Sequence, residues 1–197
     1  MASQTRRLLE GRIAPTLSRL AAPNIAVMLA QAAVNTAEAY FVGWLGPEAL
    51  AGVSLVFPLI MLMQGMAGGG MGGGVAAAVA RALGAGRRDD ANALALHAMV
   101  VACLMGALFT TVAIWGGPTL YRAMGGAEHT LEAALTYSNL VFAGALSCWL
   151  LNTLASIVRG TGTMLLPASI IIGGGIVTLS LSPALIFGCG PLPRLVS

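Results

Sequence analysis

Gln31–Gly46 reads QAAVNTAEAYFVGWLG, and it decides the fold. The stretch sets one acidic side chain, Glu38, inside an apolar run long enough to cross a bilayer. No other Asp, Glu, Arg, Lys or His lies so deep in an apolar run of this chain. A charge at the centre of a spanning helix costs about 2.5–3.5 kcal/mol on insertion scales, so such groups face a protein interior or a watery cavity and have a task there. A Glu nearer the span end can instead snorkel to the headgroups. Gln31 and Asn35 precede Glu38 on the same run. Positions i, i+4 and i+7 share one helix face, so Gln31, Asn35 and Glu38 form a polar stripe. That stripe is expected to face a cavity or another helix.

The composition around the stripe agrees. The 197 residues are 57% hydrophobic and 9% charged, where soluble globular chains carry about 25% charged residues. The chain therefore reads as an integral membrane protein. Its long unbroken apolar runs imply helices, the spanning structure that satisfies every backbone group internally; the alternating segments of a membrane barrel are missing. All ten basic residues are Arg, placed singly or in pairs between apolar runs. They are topology charges and not a nucleic-acid surface. Cys103, Cys148 and Cys189 have no ligand-like spacing, so they read as small buried hydrophobes, with no disulfide and no metal site.

About five transmembrane helices are expected, spanning residues 16–42, 50–80, 92–115, 135–158 and 164–188. Residues 1–15 form an N-terminal segment with no cleaved signal peptide, and residues 189–197 a tail. Pro23 is a tolerable kink in the first span. Gly46-Pro47-Glu48 is a tight turn. The second span is overlong for a bilayer core and contains Gln64 and the run Gly68, Gly69, Gly70, Met71, Gly72, Gly73, Gly74. Glycines in a spanning helix serve either close backbone packing or a bendable hinge. Residues 81–90 are expected as a polar loop. Residues 116–130 are expected as another, with Trp115 and Tyr121 at an interface belt, His97 interfacial and His129 solvated. Asn152 on the fourth span either bonds to a neighbouring helix or contacts a substrate.

Eight arginines (Arg6, Arg7, Arg12, Arg19, Arg81, Arg87, Arg88, Arg159) fall on one side of these spans, and Arg122 and Arg194 on the other. The positive-inside rule places the N-terminus in the cytoplasm. No nucleophile–base pair or His/Glu metal pair has workable spacing, so no catalytic residue is assigned and the chain is not expected to be an enzyme.

The order of the motifs resembles the N-terminal part of the multidrug and toxic compound extrusion (MATE) family. The matching stretches are Pro23 with Gln31, Glu38–Gly46 with Pro47–Val53, Phe57-Pro58, Gly65 with the glycine run, Ala80–Gly86 with Asp90-Ala91, Arg159–Gly162 with Pro167, and Leu181–Gly188. The resemblance implies a two-lobed transporter of twelve helices that exports organic cations against inward proton or sodium flow, in the inner (plasma) membrane. By that resemblance the chain supplies five helices of the first lobe, and a second lobe or a second chain completes it. Beyond the lipid bilayer, the expected partners are small organic cations, with no nucleic acid; no cofactor is expected besides the transported ion. The family usually has Asp where this chain has Glu38, and often Asn and Asp on the fifth span, where the matching positions are Thr178 and Ser182. These hydroxyls cannot hold a second charge. The implied ion-coupling set is Glu38, Asn35, Thr178 and Ser182, with Gln31, Gln64 and Asn152 lining a substrate cavity. Pro23 and the six glycines Gly68, Gly69, Gly70, Gly72, Gly73 and Gly74 serve as hinge or packing elements. A lone acid in an apolar surround favours its protonated form, which favours a proton over sodium. Two alternatives stand beside this reading: a fragment without transport activity of its own, and a lipid-linked sugar flippase of related shape. The absence of any mid-span arginine counts against the flippase.

Overall fold

The computed structural model describes the backbone of residues 13–44 and 46–187, and the side chains of residues 21–44, 46–127 and 129–180. Most of the expected N-terminal segment and the whole expected tail lie outside these residues. The described chain is helical. It comprises α1 (Ile13–Gly43), α2 (Pro47–Gln64), a π-helical segment (Gly65–Met71), α3 (Gly72–Gly84), α4 (Arg88–Ala123), α5 (Glu128–Ala143), α6 (Ala145–Gly160) and α7 (Leu165–Phe187). It divides into two compact units, one containing α1 and α7, the other residues Leu45–Thr161.

The second unit holds the second, third and fourth spans. Gly46 adopts φ 108, open to glycine without strain, and hands over to Pro47 at the first helical position. α2, the π segment and α3 then run without a break, and Pro47–Gly84 is long and apolar enough to cross a membrane. α4 crosses in the opposite sense. Thr110 Oγ1 reaches the Phe142 carbonyl at 2.7 Å, Tyr121 Oη meets Ser138 Oγ at 2.6 Å, and a Cβ on Gly106 would sit 2.7 Å from Leu146 Cα. Residue numbers falling on one helix while rising on the other mark an antiparallel pair.

The expected fourth span, 135–158, is broken. α5 and α6 meet at Gly144 with a 44° bend. A broken helix can be a kinked span or a re-entrant loop, and the neighbours decide between them. A Cβ on Gly52 would lie 2.8 Å from Ala133 Cβ, one on Gly72 2.7 Å from Ser156 Oγ, and one on Gly160 2.9 Å from Val79 Cβ. Both halves therefore run alongside the second span in the same direction, so α5–α6 is one kinked crossing. The bend frees carbonyls at the end of α5, and the Thr110 hydroxyl from α4 takes up that of Phe142.

The helices also outrun the apolar runs that announced them. α3 continues to Gly84 and α4 starts at Arg88, so the expected polar loop of residues 81–90 shrinks to Ala85–Arg87. Asp89 and Asp90 in the first turn of α4 and Arg122 in its last complement the helix dipole and extend the helix beyond its lipid-facing part. The expected 116–130 loop shrinks to Met124–Ala127. Tyr121 is fully buried and not in an interface belt, because its hydroxyl finds Ser138 inside the unit. Trp115, by contrast, is 82% exposed, as a lipid-facing ring should be. His129 lies in the first turn of α5, not in a loop, and His97 is exposed near the start of α4. Cys103 is exposed and not buried, since it lies on the outward face of α4; Cys148 is partly buried, and both thiols are free.

Helices are not driven together in lipid by the hydrophobic effect; small residues that let backbones approach take that role. The glycine run does this on one face only. Cβ atoms on Gly68 and Gly72 would meet Asn152 Oδ1 at 3.3 Å and Ser156 Oγ at 2.7 Å, whereas Gly69, Gly73 and Gly74 face open space. Two substitutions separate the faces. Gly72→Ala should lower the unfolding free energy in detergent by about 1–3 kcal/mol through overpacking, and Gly73→Ala should leave it within about 0.5 kcal/mol or raise it. Equal effects of both would contradict the assignment of the packed face. Thr110→Val should cost about 1 kcal/mol by removing the hydroxyl bond to the Phe142 carbonyl, read from the same thermal unfolding curves.

Candidate ion-coupling site

The polar stripe of α1 lies in the first unit, where α1 packs against α7. Val34 is buried at the centre of that contact, and a Cβ on Gly175 would lie 3.0 Å from Val34 Cγ2. Glycine at 175 thus lets the two helices approach closely. Gln31, Asn35 and Glu38 flank Val34 at helical spacing, and all three are half-buried, as expected of a face that meets another helix. Gln31 Nε2 donates to Asn35 Oδ1 at 3.2 Å, one turn along the same face. That bond occupies the Asn35 carbonyl oxygen and leaves its amide protons available one turn before Glu38. Among the described residues no hydrogen bond or ion pair reaches the Glu38 carboxyl.

Thr178 is one turn past Gly175 on α7, as Glu38 is one turn past Val34 on α1. Thr178 Oγ1 donates to the Gly174 carbonyl of its own helix at 3.0 Å. Its proton is thereby spent within the helix, while its oxygen lone pairs remain free to accept. The backbone of Ser182 continues α7 by one further turn; its side chain is outside the described residues. Pro23 lies within α1, which remains helical through it.

The other expected cavity residues belong to the second unit. Gln64 is half-buried immediately before the π segment. Asn152 Nδ2 donates to the Cys148 carbonyl at 2.9 Å, and the Asn152 carbonyl accepts from Ser156 Oγ at 2.7 Å. Arg159 Nη2 extends this ladder to Ser156 Oγ at 3.1 Å. Ser156 is fully buried in the helix contact and was not singled out from the sequence. Its signal was the four-residue spacing of Asn152, Ser156 and Gly160, which matches that of Gly68, Gly72 and Ala76. Among the described residues no cluster of three or more His, Cys, Asp or Glu side chains gathers that could hold a metal ion.

Known proteins match this chain over most of its length. The MatE family model matches residues 23–184. The FAD transporter of Shewanella oneidensis is 30% identical over 188 residues, which are 95% of this chain and 41% of that protein. A Bacillus subtilis protein named Probable multidrug resistance protein YoeA is 26% identical over 152 residues, 77% of this chain and 33% of its own. Among solved structures, the outward-facing conformation of a multidrug resistance MATE family transporter superposes with a TM-score of 0.86 at 30% identity, covering 94% of this chain and 41% of that one. The chain thus spans less than half the length of the relatives it matches.

The α1–α7 contact can be tested directly. With Cys103, Cys148 and Cys189 replaced by serine, the pair Val34→Cys and Gly175→Cys should cross-link readily under mild oxidant in membranes, since the Cβ atoms fall near disulfide range. Val27→Cys paired with Gly175→Cys, about two helical turns from the contact, should not; equal cross-linking of both pairs would contradict the packing.

Proposed function

The chain belongs to the MatE family of transporters, and we propose that it contributes the first-lobe machinery of a proton-coupled antiporter that exports organic cations by alternating access. The observation that carries this reading is the place of Glu38: a half-buried acid on the face of α1 that packs against α7, one turn from the Gln31–Asn35 hydrogen bond. An ionisable side chain inside a span marks an ion or proton path by default.

Each step follows from the groups present. Facing outward, Glu38 takes up a proton. Neutralisation removes the negative charge that favours a bound cation, and the neutral Asn35 amide, Thr178 and Ser182 remain as its polar partners. The cation leaves, the protein turns inward and the proton is released to the cytoplasm. One charge moving through about 100 mV supplies about 2.3 kcal/mol, to which any pH gradient adds. A single carboxylate beside hydroxyls suits a proton better than sodium, which needs several oxygen ligands, charged ones among them. Gln64 and Asn152 serve as cavity contacts in this reading, and a second lobe or chain completes the transporter in an inner membrane with its N-terminus cytoplasmic.

A second substrate reading has its own support. The Shewanella oneidensis relative is named an FAD transporter, and Thr178 and Ser182 leave the fifth span without an acid. A site with one titratable negative charge repels an anionic dinucleotide less than a site with two.

The test is flux into proteoliposomes under an imposed pH gradient, with a fluorescent organic cation or a flavin dinucleotide as cargo. Glu38→Gln should reduce pH-driven flux by about tenfold, in the usual range of coupling energies, and Glu38→Asp should retain it. Undiminished pH-driven flux in Glu38→Gln removes Glu38 from the mechanism, and flux of the flavin but not the cation favours the second substrate. Single cysteines at Thr5 and Ser197 in a cysteine-free background should react with an impermeant maleimide from opposite sides of the membrane; labelling of both from one side contradicts the orientation.

A further inference from the structure

Two irregularities in the second unit lie side by side. The second span widens into a π-helix over Gly65–Met71, where the Gly72 N–H reaches back to the Ala67 carbonyl. The fourth span breaks at Gly144. Since Gly68 lies beside Asn152, the break sits within about two turns of the π segment along their shared direction. Packing divides at the same level. Above it α2 pairs with α5; below it α3 pairs with α6; α2 has no substantial contact with α6, nor α3 with α5. Only α4, continuous over 36 residues, packs against α5 above and against α3 and α6 below.

We propose that the second unit is two helix-pair blocks, α2–α5 and α3–α6, that pivot against each other on α4 by interconversion of the Gly65–Met71 π segment with regular α-helix. π segments within α-helices arise where an extra residue is accommodated, and they concentrate at functional positions. Here the surroundings permit the change. Gly65, Gly69, Gly73 and Gly74 have nothing within 4 Å of an added Cβ, so one face of the segment can turn without displacing a neighbour. The adjoining positions are held, Gly68 against Asn152 and Gly72 against Ser156, which keeps the lower block attached while the bonds above it shift register. The fourth span already carries its flexure at Gly144, with the freed Phe142 carbonyl capped by Thr110 from the fixed α4. A pivot needs both spans to yield close together, and here the two yield points lie within about two turns of each other. This inference does not depend on Glu38 or on the identity of the coupling ion.

The experiment is pulsed electron–electron resonance on the full chain in lipid nanodiscs, with Cys103, Cys148 and Cys189 replaced by serine. Spin labels at the exposed positions Ser54 and Ala80 report across the π segment, and labels at Ser54 and Glu132 report within the upper block. The expected result is two distance populations for Ser54–Ala80 and a single narrow one for Ser54–Glu132. Deleting Gly70 removes the extra residue while keeping the Gly68 and Gly72 faces in place, and should abolish the second population. If the deletion variant does not fold, the triple variant Gly69→Ala, Gly73→Ala, Gly74→Ala supplies the same test, because those added methyls enter open space and favour regular helix. A single narrow Ser54–Ala80 distance in the unmodified sequence overturns the proposal, as does a second population that survives regularisation of the segment.

Discussion

The close approach of the second and fourth spans is the interaction on which the second unit rests. Lipid tails are as apolar as leucine, so burying leucine between helices gains little in a bilayer. What holds these spans is the absence of side chains where their backbones meet: Gly52 against Ala133, Gly68 against Asn152, Gly72 against Ser156, Gly160 against Val79. Dispersion over such contacts is available only at short range. Several polar groups inside the unit are paired: Tyr121 with Ser138, Thr110 with the Phe142 carbonyl, Ser156 with the Asn152 carbonyl and Arg159. Trp149 Nε1 and Thr153 Oγ1 are buried without a hydrogen-bond partner.

The first unit applies the same rule to a different end. Gly175 admits Val34, and that contact turns the Gln31–Asn35–Glu38 face of α1 toward α7. Packing therefore sets where the acid lies, and the acid's surroundings set its chemistry. With Thr178 bonded to its own helix, Glu38 is the one Asp, Glu, Arg, Lys or His among the described side chains of the first unit.

How far this was legible in the sequence depends on the range of the interaction. The polar stripe follows from helical spacing within eight residues and needed no partner to be seen. The glycine run was visible as packing or hinge, and Gly68 and Gly72 lie packed against the fourth span. Helical periodicity could sort Gly68 and Gly72 from Gly69 and Gly73, but not say which pair meets a neighbour. The break at Gly144 was hidden, because it is stabilised by Thr110, 32 residues away in the chain. Tyr121 was misplaced for the same reason: its ring was assigned to the interface, whereas Ser138 accommodates its hydroxyl within the unit. Helix ends were set too short because hydropathy reports lipid contact, whereas the backbone remains helical into the charged first and last turns of α4.

Cation binding and proton binding compete at one carboxyl in this account, and linkage makes that competition measurable without transport. Purified chain in weakly buffered detergent, titrated with an organic cation near the midpoint of the competing proton, should release about half a proton per cation bound, rising toward one at lower pH. This release should disappear in Glu38→Gln. Equal proton release from both forms, or none from the unaltered sequence while the cation binds, would contradict it.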